Sequence, residues 1–144
     1  MSAQIWLLLI YKVPSEPTAR RVYVWRKLKG LGAILLHDSA WVLPATPRTR
    51  EQFQWLSAEI REMGGDSYLW DATLTGGQDH ALIAQFTALA DELFRGILVD
   101  LAAPSADVAA LGRRYQQALT QDYFHAELGQ KVRDALLRAR EDEA

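Results

Sequence analysis

Basic and aromatic side chains alternate in one stretch near the N-terminus, RRVYVWRKLK, which begins at Arg20. Read as a helix, the stretch carries a polar stripe of Arg20, Tyr23 and Lys27. Arg26 and Lys29 flank that stripe. Cations on one rigid face can neutralise several phosphates together, and a tyrosine can stack on a base. The pattern predicts contact with DNA, although an ordinary solvated helix face would contain the same residues.

A second basic cluster, Arg48 and Arg50, stands at the start of a later predicted helix. The free backbone N–H groups of a helix start already favour anions, so these arginines are predicted to support DNA binding. The sequence leaves open whether the two clusters form one surface.

Lys12 and Arg21 are candidates for a different site, one that binds an oxyanion. Arg21 shares a helix side with Trp25 and Leu28, and a guanidinium on a buried side needs a partner. That partner is either Asp71 or an external oxyanion. Alternatively, Arg21 stacks on Trp25 or reaches past it to solvent. Lys12 ends the first predicted strand, and it is either a second oxyanion ligand or simply solvated.

The residues and motifs that most catalytic and metal sites require are absent from this sequence. There is no cysteine, and the three histidines are far apart in sequence. No Gly-rich phosphate loop, nucleophile elbow or HExxH motif is present. Small ferredoxin-like ribonucleases place a metal-binding Asp where this chain has Tyr11 and Lys12. We therefore predict that the protein is not an enzyme and holds neither a metal nor a cofactor.

Charge is distributed unevenly along the chain. Residues 1–65 contain nine Lys/Arg and five Asp/Glu, a net +4, whereas residues 66–144 contain seven and thirteen, a net −6. Such a chain can bind a polyanion on one face or pair head to tail with a second copy, and a merely solvated asymmetry is the third possibility. No long apolar run or signal peptide is visible, so we expect a cytoplasmic protein without membrane contact.

Strand and helix signals alternate over residues 1–77. In chain order they predict a strand at 4–13, a helix with Ser15 as N-cap that ends at Gly30, two short strands around Asp38-Ser39, a helix opened by Thr46-Pro47, and a strand at 67–74. The order β-α-β-β-α-β is typical of a ferredoxin-like α+β sandwich, a four-stranded antiparallel sheet with both helices on one face. Because Pro44 cannot donate a ladder hydrogen bond, the end of the second short strand is predicted to be an edge of the sheet.

Residues 78–144 form the second predicted region. Two apolar stripes at helical spacing, the second starting after Ser105 as N-cap, predict an antiparallel helical hairpin, and a break of the second stripe near Gly129 is left open. The first strand is apolar on both sides, so a second layer has to cover the other face of the sheet. We expect the hairpin to pack either on this sheet or on the partner of a homodimer.

The amino-acid sequence resembles that of the N-terminal domain of the chromate-resistance regulator ChrB. The matching motifs are WLLL, RxxVWRxLKxLGA, WVLPAT and TREQFxWLxxEIxxxGG, followed by RRY and DYF. The resemblance implies a chromate-responsive repressor or activator that binds the operator of a chromate-resistance operon and controls an efflux pump. It also implies that the basic residues of RRVYVWRKLK face DNA or an oxyanion.

Longer members of that family continue into a second domain, which this sequence does not include. If effector sensing lies there, this chain is expected to bind DNA constitutively or to act with a separate protein. Three hypotheses follow: a DNA-binding regulator, an accessory protein that binds chromate or another oxyanion, and a dimerisation module with neither activity.

Overall fold

A computed structural model describes residues 4–143 of the chain. Two compact units are present, one extending to Asp79 and the other starting at His80. The elements of the first unit are β1 (Trp6–Lys12), α1 (Thr18–Gly30), β2 (Ile34–His37), β3 (Ala40–Pro44), α2 (Pro47–Glu62) and β4 (Asp66–Ala72). The second unit consists of α3 (Asp79–Leu101), α4 (Val108–Leu119) and α5 (Glu127–Glu143).

The four strands form one antiparallel sheet in the order β2-β3-β1-β4. The predicted α+β class is confirmed, and β1 is a central strand, as its uninterrupted apolar run indicates. Strand β3 is an inner strand that pairs with both β1 and β2, but the register with β2 stops at Val42, and its end at Pro44 is paired only with β1. Pro44 is the last residue of β3, so its missing N–H interrupts no hydrogen bond in the strand interior.

One face of the sheet carries the core of the first unit. Leu7 and Leu9 of β1 are fully buried on that face. Both helices cover it: the Trp25 ring of α1 meets the Trp41 ring edge-on at 5.2 Å between centroids, and α2 is tied to β4 by a hydrogen bond. Val24 of α1 and Phe53 of α2 add fully buried side chains to this core. Burial of such side chains is the main force holding a helix against a sheet.

The two helices of the first unit begin differently. Thr46 caps α2 in a capping box with Thr49, whose hydroxyl also donates to the Pro44 carbonyl at 2.6 Å. Ser15 was predicted to cap α1, but the residue at that position is Pro17, and no side chain caps the helix. Local capping chemistry therefore determines the start of α2 more firmly than the start of α1.

The second unit has three helices where the sequence predicts a hairpin of two, and the second stripe breaks at residues 120–126 rather than near Gly129, which lies inside α5. Asp107, rather than Ser105, caps α4 by accepting a hydrogen bond from the Ala110 N–H. The chain leaves the helix over residues 120–126, where His125 has a φ of 55° and the Asp122 carboxylate accepts from the Ala126 N–H. Apolar residues keep their helical spacing through this segment, so periodicity alone does not reveal the break.

The apolar stripes of the second unit meet in a core of its own. Phe94 of α3, Leu111 of α4 and Val132 of α5 are all buried in it. In the described part of the chain, no helix combines the length and the apolar character that a membrane crossing requires.

Candidate functional site

Helix α1 concentrates positive charge on the surface of the first unit. Its thirteen residues include five Lys/Arg and no Asp/Glu. Val24 and Leu28 are buried, and the helical rotation between residues divides the cations between the two sides of that buried strip. One side faces α2, and the other faces the turn between β2 and β3.

On the side next to α2, the predicted DNA contacts already have partners inside the protein. Arg20 Nη1 donates to the Met63 carbonyl at 2.7 Å, just beyond the last residue of α2. The Tyr23 hydroxyl donates to the Glu59 carboxylate. That hydrogen bond, with smaller effects of burial and of the Glu59 charge, raises the pKa of Tyr23 above its ordinary value. Arg20 and Tyr23 therefore brace α1 against α2.

Three further cations of α1 remain exposed. Arg26 points away from the buried strip and has no hydrogen bond or ion pair within residues 4–143. Lys27 Nζ lies 5.7 Å from the Tyr23 ring centroid, and Lys29 Nζ lies 5.5 Å from the Trp25 ring centroid. Cation–π contact of this kind stiffens a lysine without neutralising its charge. These three cations form what we call the α1 cation face: Arg26, Lys27 and Lys29.

The second basic cluster is divided by the structure. Arg50 Nη1 forms an ion pair with Asp71 Oδ1 at 2.6 Å, whereas Arg48 is exposed in the first turn of α2. Asp71 is consequently engaged by Arg50, so of the alternatives considered for Arg21 the pairing with Asp71 is not the one formed. The sequence could not choose between two arginines for one carboxylate, since both pairings need contacts between distant segments.

Strand directions decide which basic residues share an end of the sheet. Pro44 pairs with Trp6, so α2 begins at the end of the sheet where β1 begins. Helix α1 starts after Lys12, at the opposite end, and its thirteen residues run about 20 Å back along the sheet. Arg48 and the C-terminal half of α1, with the α1 cation face, therefore share one end.

Lys12 and Arg21 come together at the other end, where the structure has a cleft of about 740 Å³. We call it the β1–α1 cleft. Among the residues that line it are Tyr11, Lys12, Arg21, Val22, Trp25, Asp38 and Trp41. The Tyr11 backbone N–H donates to the Ser39 carbonyl, and this bond brings the β2–β3 turn to the end of β1.

Positive charge predominates among the groups of the cleft. Neither Lys12 nor Arg21 forms an ion pair with a carboxylate of the described residues. Asp66 lies opposite Lys12 in the register of β1 and β4 but forms no ion pair with it. Asp38 is the carboxylate that lines the cleft. Two unpaired cations beside one carboxylate leave an environment that favours a bound anion.

A buried indole and a half-buried hydroxyl, those of Trp41 and Tyr11, also line the cleft. The Trp41 side chain is only 1% exposed, and its Nε1–H has no acceptor in hydrogen-bonding geometry within the described range. The Tyr11 side chain contacts this indole, but the contact falls outside hydrogen-bonding geometry. Burial raises the pKa of Tyr11, and the contact with Trp41 and the charge of Arg21 lower it by less. Tyr11 is therefore neutral at pH 7 and can donate as well as accept.

The sequence pointed to Lys12 and Arg21 but missed the aromatic part of the cleft. Tyr11, Trp25 and Trp41 belong to three different elements, and no local pattern connects them. Arg21 was expected on a buried side of α1, whereas the structure leaves it exposed in the cleft. Among the described residues, no group of three His, Cys, Asp or Glu side chains comes close enough to hold a metal ion.

Comparison with known proteins gives one family. The family model described as "Protein ChrB, N-terminal" matches residues 21–128. "Protein ChrB" of Cupriavidus metallidurans is 31% identical over 86 residues, which is 60% of this chain and 26% of that relative. The chain thus spans about a quarter of the length of this curated relative. No solved structure matches the chain. Since the family match covers well over half of its residues, this chain belongs to the ChrB N-terminal family.

Proposed function

We propose that the chain is a transcriptional regulator of a chromate-resistance operon and binds operator DNA through the α1 cation face. Membership of the ChrB family supports the connection with chromate resistance. The observation that carries the DNA contact is the surface of α1: a helix without any carboxylate, on which Arg26, Lys27 and Lys29 are exposed and have no ion pair within residues 4–143. The proposed regulator is cytoplasmic, non-enzymatic and homodimeric.

The shape of the first unit supports this role. Its element order and its strand order β2-β3-β1-β4 favour a ferredoxin-like arrangement, which presents α1 on an outer surface. Arg48 shares an end of the sheet with the α1 cation face and extends the proposed contact along a phosphate backbone. Arg20, Tyr23 and Arg50 hold the two helices in place, so their substitution is expected to affect DNA binding less directly.

The test is a titration of labelled DNA from upstream of the protein's own gene, at several salt concentrations between about 50 and 300 mM. Each phosphate contact contributes about 0.9 to the slope of log affinity against log salt. The triple variant R26A/K27A/K29A should therefore lower the slope by about 2 to 3. A matched variant, K131A/R133A/R138A, removes the same charge from exposed residues of α5. Equal slopes for both variants would contradict the proposal.

A second function, an accessory protein that binds chromate or another oxyanion, is favoured by one observation. Lys12 and Arg21 line the same cleft, and neither has an ion pair within the described residues. Calorimetric titration with chromate and with sulfate should then give dissociation constants in the micromolar to millimolar range, about −8 to −4 kcal/mol. Arg21→Ala should abolish this binding. If neither DNA nor an anion binds, the dimerisation module is the remaining hypothesis.

A further inference from the structure

The β1–α1 cleft is large for an inorganic oxyanion. Its volume of about 740 Å³ falls in the range of about 300–1,000 Å³ that is typical of sites for organic molecules. A single chromate or sulfate contacting Lys12 and Arg21 would leave most of this space to water. The size of the cleft therefore indicates a ligand that extends beyond its charged group.

The cleft is also lined by exposed apolar side chains. Trp25 is 47% exposed and Val22 is 40% exposed, and both line the cleft. Exposed apolar surface inside a concave site is a feature of ligand-binding pockets, because a ligand with an apolar part removes that surface from water. A bare oxyanion has no such part, and it would gain nothing from Trp25.

Polar groups around the cleft can serve the rest of an organic ligand. The buried Nε1–H of Trp41 has no acceptor in hydrogen-bonding geometry among the described residues, and an acceptor that reaches it would relieve the desolvation of that group. Tyr11 supplies a neutral hydroxyl beside it. Asp38 can accept from a hydroxyl or amino group of the ligand while limiting the total negative charge that the site tolerates.

We propose that the β1–α1 cleft binds an organic anion of about mononucleotide size, in which a flat apolar ring is joined to a phosphate or carboxylate group. Arg21 and Lys12 bind the anionic group, and Trp25 contacts the ring. The inference rests on the anion site proposed above and assigns the ligand class of that site. The same chemistry is presented by a free mononucleotide and by a nucleotide within a single strand.

Calorimetry on the full chain separates the parts of this proposal. The probes are adenosine monophosphate, ribose 5-phosphate, adenosine, sulfate and a short single-stranded oligonucleotide. Adenosine monophosphate should bind at least tenfold more tightly than ribose 5-phosphate, sulfate or adenosine, since only it joins a flat aromatic ring to an anionic group. An oligonucleotide that binds more tightly than the mononucleotide identifies a nucleic-acid strand as the source, and the reverse identifies a free metabolite.

Two substitutions test the assigned roles. Arg21→Gln should weaken adenosine monophosphate binding at least tenfold, whereas Arg133→Gln, at an exposed position of α5 that does not line the cleft, should leave it unchanged. Trp25→Leu keeps an apolar side chain but removes the aromatic ring. It should weaken binding of the mononucleotide and leave binding of sulfate unchanged. Trp55→Ala removes an exposed tryptophan outside the cleft and serves as its control.

The outcomes distinguish this inference from the anion site beneath it. If sulfate binds as tightly as adenosine monophosphate and Trp25→Leu changes neither, the organic ligand is wrong while the anion site stands. If no probe binds at millimolar concentration, both proposals are overturned.

Discussion

Two arginines of α1 test whether different residues of this helix stabilise its packing against α2 and bind DNA. Arg20 and Arg26 are of one residue type on one helix, and replacing either with alanine removes the same charge. Arg20 Nη1 donates to the Met63 carbonyl at 2.7 Å, whereas Arg26 has no partner among the described residues. We expect Arg20→Ala to lower the free energy of unfolding and Arg26→Ala to weaken DNA binding.

The magnitudes follow from these contacts. Loss of one hydrogen bond from Arg20 should lower the free energy of unfolding by about 0.5–1.5 kcal/mol, toward the lower value because both groups are near solvent. Arg26→Ala should change it by less than about 0.5 kcal/mol. In DNA binding, loss of one phosphate contact lowers the slope of log affinity against log salt by about 0.9. The ratio of the wild-type affinity to the Arg26→Ala affinity should therefore be about 3.5-fold larger at the low-salt end of a fourfold salt range than at the high-salt end.

Fluorescence anisotropy of labelled operator DNA measures the slopes, and urea denaturation measures the free energies of unfolding. The reasoning is refuted if Arg20→Ala lowers the slope as much as Arg26→Ala does while leaving the free energy of unfolding unchanged. That result would mean that Arg20 leaves Met63 to contact phosphate, and that α1 needs no brace against α2.

Two more predictions concern the framework that holds α1 and the cleft. A Cβ at Gly65 would lie 2.3 Å from the Lys12 carbonyl oxygen, so Gly65→Ala should lower the free energy of unfolding by about 1–3 kcal/mol, while Gly30→Ala, with no atom within 4 Å of the new Cβ, should not lower it. Because the pKa of Tyr23 is raised by Glu59, the stability from that hydrogen bond is complete below pH 10.0 and is lost as the pH rises through the higher folded value. Denaturation at a series of alkaline pH values should show a smaller loss of stability for Tyr23→Phe than for wild type.

Local signals in the sequence were sufficient for several elements. The apolar run of β1 indicated a strand with neighbours on both sides, and Thr46-Pro47 marked the start of α2, where the structure has a capping box. The tight turn at Asp38, with its φ of 47°, was also visible as a break between two short strands. Each of these features depends on residues close together in the chain, so the sequence contains the interactions that produce it.

Other features escaped the sequence because similar patterns precede different structures. The apolar spacing of the C-terminal half continues through residues 120–126, where hydrogen bonding by Asp122 and the backbone of His125 end the helical path. Likewise, the arginines of α1 look equivalent in a helical projection. Arg20 bonds to the segment after α2, Arg21 lies in the cleft, and Arg26 has no ion pair among the described residues, and periodicity does not distinguish these three outcomes.

The sequence by itself determined the order of strands and helices in the first unit, the concentration of cations without carboxylates on α1, and the family to which the chain belongs. Only the tertiary structure decided that Arg20 braces α2, that Arg50 takes Asp71, and that Lys12 and Arg21 share a cleft with Trp25 and Trp41. The physical reason is the range of the interactions. Caps, turns and helical faces arise between near neighbours, whereas a charge acquires its partner only when distant segments pack together.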